Sequence, residues 1–291
     1  MPETKKKSKA RAKGRPRKAA KTKAKIADNA DRHRLYELSV QCVEAEIDFV
    51  EETYESLRGR KARVLREDFC GTGNSSCEWV RRRKENTAYG VDLDEEVLAW
   101  GEANRVGKLK PDQRERVHLI NGNVLGGGTP AADVILAMNF SYWIFKTRND
   151  LRRYFRAARK NLKRDGLFIL DFYGGSDSMK EMRERRKIDA GKGRSFTYIW
   201  DQRRFDPISG DLECRIHFAF ADGSKLKDAF TYHWRLWTMP EVRELLLEAG
   251  FRRATVYWEG TDEDGEGSGE YEPAVRGEAD PAWISYVVAE K

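Results

Sequence analysis

Glu67, the pair Gly71 and Gly73, and Asp92 are the residues whose types and spacing first suggest chemistry in this 291-residue chain. The glycines close the run Glu67-Asp68-Phe69-Cys70-Gly71-Thr72-Gly73, which follows the strand-like Val64-Leu65. A glycine turn between a strand and a helix lets backbone approach a ligand closely and aims the helix N-terminus at negative charge. Nineteen residues beyond Gly73, Asp92 ends the apolar-rich run Tyr89-Gly90-Val91-Asp92-Leu93. A carboxylate at that place can accept hydrogen bonds from both hydroxyls of a ribose. The pairing predicts a nucleoside site. A dinucleotide fingerprint would put a third glycine where this chain has Ser76, which counts against a pyrophosphate ligand and leaves a nicotinamide oxidoreductase as an alternative.

These residues need elements to hold them. Strand is predicted over 63–69, 87–93, 117–122, 133–138 and 167–172, with helices over 74–84, 95–105 and 149–162 between them. Alternation in that rhythm implies crossover connections and a mostly parallel sheet. Runs such as Val-Ile-Leu-Ala-Met at 134–138 suit strands buried on both faces. A helix over 32–58 precedes them, with apolar residues at steps of four and three. After Gly175 the rhythm breaks. Three strands near 196–206, 211–221 and 226–236 predict an inserted antiparallel sheet, about 196–236. Thr238-x-x-Glu241 is a capping box opening a helix to Ala249, followed by strands at 254–258 and 283–290. Residues 259–280 carry nine acids and one Arg, and read as a flexible acidic loop.

The net charge of +7 conceals a division. Residues 1–25 hold 12 Lys/Arg against Glu3, a net +11, so the remainder carries −4. The basic segment has almost nothing to bury, so residues 1–30 are expected to be a disordered tail and 31–291 the folded domain. Residues 5–25 would attract polyanions weakly, and Lys13-Gly14-Arg15-Pro16-Arg17-Lys18 resembles an AT-hook. No run is apolar enough to span a bilayer, and no secretory signal is read. Cys42, Cys70, Cys77 and Cys214 show neither paired nor zinc-like spacing, which predicts free thiols, a cytoplasmic protein and no metal.

Five segments in order resemble the class I S-adenosylmethionine-dependent methyltransferases over roughly residues 60–290. Glu67 before the glycine turn resembles motif I, whose acid helps hold the cofactor's amino group while the turn packs on its methionine part. Asp92 matches the ribose-binding acid. Gly122-Asn123-Val124 resembles the Gly-Asp-Ala/Val that meets adenine, with Asn in place of Asp. Leu162-Lys163-Arg164-Asp165-Gly166 resembles the lead into strand five, and Glu248-Ala249-Gly250-Phe251 the turn before the last two strands. The resemblance implies a Rossmann-like, mostly parallel seven-stranded sheet flanked by helices, with an antiparallel insertion after strand five. It implies S-adenosylmethionine as cofactor, met by Glu67, Cys70, Gly71, Gly73, Asp92, Leu93, Gly122, Asn123, Val124 and Asn139. One departure is Phe69, which stands where the first motif I glycine belongs; its side chain must point away or the turn must shift.

On that resemblance the chain would methylate N or O of a small-molecule acceptor. A nucleic-acid or protein acceptor reached by the basic tail, and a non-catalytic DNA-binding protein, are the alternatives. Asn139 and Tyr142, in Asn139-Phe140-Ser141-Tyr142-Trp143 after strand four, are expected to face the acceptor and take part in catalysis, because crevices form at the carboxyl ends of parallel strands. The insertion would cover the acceptor, offering Tyr198 and Trp200 on one face and His233 as a base. Tyr36 and Gln41 are candidate lid contacts, His118 a structural residue.

Overall fold

The protein is described here by a computed structural model covering residues 24–191, 194–262 and 267–291. Of the tail expected at 1–30, residues 1–23 lie outside the described residues, whereas 24–30 are described and are not without structure: they hold a 3-10 turn bonded to the insertion. A 3-10 turn at Ile26–Asn29 leads to helices α1 (Arg32–Val40) and α2 (Val43–Arg58). Then come β1 (Val64–Asp68), α3 (Asn74–Arg82), β2 (Thr87–Asp92), α4 (Glu95–Asn104) and the short α5 (Pro111–Arg114). β3 (Val117–Asn121), β4 (Ala132–Ala137), α6 (Arg148–Asn161) and β5 (Leu162–Gly174) complete the first half. The insertion is β6 (Met182–Asp189), β7 (Ser195–Phe205), β8 (Asp211–Phe220) and β9 (Lys225–Arg235). It is followed by α7 (Met239–Glu248), β10 (Arg253–Thr261), β11 (Gly267–Ala274) and β12 (Trp283–Glu290).

The main sheet runs β11-β10-β12-β5-β4-β1-β2-β3. The five strands from β3 to β5 are parallel, and β12 joins β5 and β10 antiparallel. Every residue of β4 is buried: the run from Val134 to Ala137 is apolar, and the Asp133 carboxylate is paired with Arg60 and Lys163. One face packs a cluster including Tyr154, Phe155, Phe168, Leu245 and Trp143. The other packs Ile47, Tyr54, Trp79 and Leu136. A core on both faces fixes the carboxyl ends of β1, β2 and β4 as one rigid edge.

Three expectations are corrected here. The 32–58 helix is two helices, broken where Gln41 and Cys42 leave helical geometry. The main sheet has eight strands, because β11 forms inside the supposed acidic loop and pairs antiparallel with β10. The insertion has four strands, because β6 pairs with β7. β6 and β11 are both outermost in their sheets and mostly exposed. Their charge is what an edge strand carries to avoid pairing with other chains.

Candidate active site

β1 delivers the glycine turn. Gly71 (φ 52°) and Gly73 (φ 67°) take left-handed backbone, and a side chain at Gly71 would enter open space. Phe69 also sits at φ 59°. Its ring is seated 5.4 Å from the Tyr154 ring and 6.2 Å from that of Phe145, in the cluster on one sheet face. The turn therefore absorbs the phenylalanine by rotating its backbone. From below, α4 fixes the turn: a Cβ at Gly101 would lie 2.4 Å from the Thr72 carbonyl oxygen.

Glu67 is buried at the end of β1. Its Oε2 accepts from the Ser76 N–H at 2.9 Å and the Ser76 hydroxyl at 2.5 Å, so it caps the first turn of α3. Burial pushes its carboxyl up to about 7. Asp92 ends β2 and turns toward the glycines: Oδ2 accepts from the Gly71 N–H at 2.8 Å, and Oδ1 from the Asp94 N–H at 3.0 Å. The neighbouring Leu93 is 65 % exposed, an apolar side chain with nothing over it. Beyond β3, Gly122 donates to the Asp92 carbonyl at 2.8 Å. Asn123 is exposed, with Oδ1 accepting from Leu125, and Val124 is buried. Cys70 is buried with its thiol pushed well up by desolvation, so it is a packing group. The structure thus gathers these residues along three adjacent strand ends.

β4 ends in a second unusual turn. Asn139 (φ 57°) and Phe140 (φ 55°) are consecutive left-handed residues other than glycine. Strain of about 1–3 kcal/mol at such a residue needs an anchor. Asp171 of β5 supplies it: its carboxylate accepts the N–H of Asn139 at 2.7 Å and of Phe140 at 2.9 Å. Burial pushes the Asp171 carboxyl up to about 7.

A cavity of about 980 Å³ opens beside this turn. Asn139 and Phe140 line it from the main sheet, Trp200, Tyr232 and Trp234 from the insertion, and Tyr36 from α1. α1 lies between the cavity and the glycine turn. Its Glu37 is buried, accepts from the Thr72 hydroxyl at 2.9 Å and pairs with Arg105. Just past its end, Gln41 Oε1 accepts from Asn74 Nδ2 at 3.0 Å. The N-terminal turn ties the same helix to the insertion, through Ile26 N–H on Asp222 and Ala27 N–H on Ser224.

Two expected catalytic residues are corrected. Tyr142 is fully buried and its hydroxyl donates to the Asp171 carbonyl at 2.9 Å, so it belongs to the core. The left-handed pair before it turns the chain inward. His233 is exposed and absent from the cavity wall; it alternates with Tyr232 and Trp234, which point inward. His217 is held by the Asp228 N–H and Asp201, and His118 stacks on Tyr89. Sequence reasoning missed Glu37, Trp234 and the clamp of Asp171. Only Asp171 left a signal, as an acid closing an apolar strand beside Asn139.

Residues 70–168 match the family model described as "Methyltransferase domain". These residues form a methyltransferase domain, on the fold of the S-adenosylmethionine-dependent methyltransferases. It is 26 % identical over 250 residues to "Putative methyltransferase YqeM" of Bacillus subtilis (strain 168), covering 82 % of this chain and 89 % of that protein. The fold is that of an S-adenosylmethionine-dependent methyltransferase from Clostridium acetobutylicum, with TM-score 0.63 and 17 % identity over 89 % of this chain and 96 % of the other. It is also that of CalS10, an amino pentose methyltransferase from Micromonospora echinaspora solved with S-adenosylmethionine bound, with TM-score 0.63 and 15 % identity over 94 % and 99 %. The strand ends fit the family's cofactor. Open space lies beside Gly71, an uncovered Leu93 can meet a flat ring, and the desolvated Glu67 calls for a cation.

Proposed function

We propose that this methyltransferase acts on nitrogen or oxygen of a small molecule held in the cavity under the inserted sheet. The observation that carries this reading is the shared boundary: Asn139 closes the strand next to the glycine turn and also lines the 980 Å³ cavity. A volume of that size suits a small ligand. Glu67 would hold the cofactor's amino group, Asp92 its ribose hydroxyls, and Leu93, Asn123 and Val124 its adenine end. When bound, the sulfonium supplies a methyl group that passes to the acceptor's lone pair while sulfur keeps the C–S electrons.

The chain's own contribution is positioning and electrostatics. Asp171 holds the Asn139–Phe140 turn in shape, which sets the border between the two compartments. α1 and the insertion form walls of the acceptor cavity. Calorimetry with S-adenosylhomocysteine tests the cofactor half. Wild type should bind, and Asp92→Ala should weaken binding at least tenfold; unchanged affinity refutes the ribose role. Labelled donor incubated with a metabolite extract tests the acceptor half. Labelling only of nucleic acid or protein, lost on removing residues 1–23, would overturn it.

A further inference from the structure

We propose that the acceptor is a small amine, whose nitrogen is held against the aromatic wall formed by Trp200, Tyr232 and Trp234. The proposal rests on the methyl-transfer reading above and narrows it to a substrate class.

The wall is built by register. Trp200 in β7 faces Ile216 in β8, and Ile216 faces Phe230 in β9. Alternation then brings Trp200, Tyr232 and Trp234 to the same inward side. The Tyr232 and Trp234 rings lie 4.3 Å apart, and Trp200 lies 6.2 and 6.3 Å from them. Phe140, at the strand-end turn, meets Trp234 edge-on at 6.3 Å. The aromatic wall therefore reaches the border with the cofactor site. Ring faces carry negative potential and attract cations.

Two carboxylates and two arginines share the cavity lining. The carboxylates are Glu184 and Glu259. Of the two arginines there, Arg186 is already engaged: it donates to the Ser39 carbonyl and sits 5.6 Å from the Tyr198 ring centre. Tyr198, on the strand that carries Trp200, thus already holds one cation. An anionic acceptor would meet the two carboxylates and the ring faces, with Arg185 as the cation beside them.

The three rings of the wall carry no group able to deprotonate an alcohol, and the carboxylates beside them, Glu184 and Glu259, would pair with an ammonium. Among the described lining residues there is no histidine and no lysine. The phenols of Tyr198 and Tyr232 are pushed up by burial and stay neutral. An alcohol would need help losing its proton, whereas an amine that has shed its proton to solvent already offers a lone pair. As methyl arrives, positive charge grows on that nitrogen. A wall that prefers the charged product over the neutral amine stabilises the developing charge.

The test uses choline as a cationic probe and 3,3-dimethylbutan-1-ol as its neutral isostere. Binding is followed by calorimetry and tryptophan fluorescence, with and without saturating S-adenosylhomocysteine. We expect choline to bind about tenfold tighter than the isostere. Trp200→Leu should abolish most of that preference while homocysteine-ligand affinity stays within about twofold. The wild-type ratio is read without any variant, so it stands if Trp200→Leu fails to fold. Equal binding of the two probes, or no saturable choline binding, overturns the proposal. Loss of S-adenosylhomocysteine binding with choline preference intact would instead sink the cofactor reading alone.

Discussion

Replacing Glu67 by Gln changes the charge at the base of the glycine turn and little of its shape. In wild type, burial holds this carboxyl at about 7 against its ordinary 4.5. One pH unit of such displacement corresponds to about 1.4 kcal/mol, so the empty site pays on the order of 3 kcal/mol to keep Glu67 ionised. The folded state binds this proton more tightly than the unfolded state. Stability from Glu67 is therefore fully present below about pH 4.5 and is lost as pH rises toward 7. Glu67→Gln has no such dependence. Glu46 and Asp171 are pushed up to about 7 in the same way; the effect of Asp171 cancels when variant and wild type are compared, while Glu46, whose charge bears on Glu67, contributes to the difference. Urea unfolding at pH 5 and pH 8 should show the variant gaining on wild type by roughly 2–3 kcal/mol across that interval. A constant offset at lower stability is expected from the weakened bonds to Ser76. Parallel pH profiles would refute the argument that Glu67 is charged only at a cost. A cationic ligand beside Glu67 offsets that cost, so cofactor binding to wild type near neutral pH should release protons. Calorimetry in buffers of different ionisation heat measures this, and Glu67→Gln should release fewer.

Gly101→Ala would press a methyl against the Thr72 carbonyl; we expect at least a tenfold loss of S-adenosylhomocysteine affinity by calorimetry, while exposed Glu102→Ala leaves it unchanged. Glu37→Ala strands Arg105 and the Thr72 hydroxyl, and should cost about 3–5 kcal/mol in urea unfolding, as loss of one partner of a buried pair does. Tyr142→Phe removes one buried hydrogen bond and should cost about 1 kcal/mol of stability with KM and kcat unchanged. His233→Ala should alter neither stability nor turnover, since the side chain is exposed outside the cavity.

The parts of the fold that could be read from sequence are those governed by local or periodic signals. β4 and the middle of β5 are covered on both faces, so the apolar runs Val-Ile-Leu-Ala and Leu-Phe-Ile-Leu mark them. The glycine turn and Asp92 lie within single strand–turn segments, and spacing identifies them. β6 and β11 have neighbours on one side only, so their exposed charged residues carry no strand alternation. The break after Val40 is equally silent, because apolar spacing continues across it; contacts made by Gln41 with Asn74 go with it. At the acceptor side, alternation along β9 could not say which face turns inward. Tyr142 was misplaced because nothing local announces two consecutive left-handed residues; Asp171, held on another strand, stabilises them.

α1 has its back on the glycine turn and its front on the aromatic chamber, and both ends are moored. The same nine-residue strut is a wall to both compartments, so a substitution that shifts it is expected to change cofactor and acceptor affinity together.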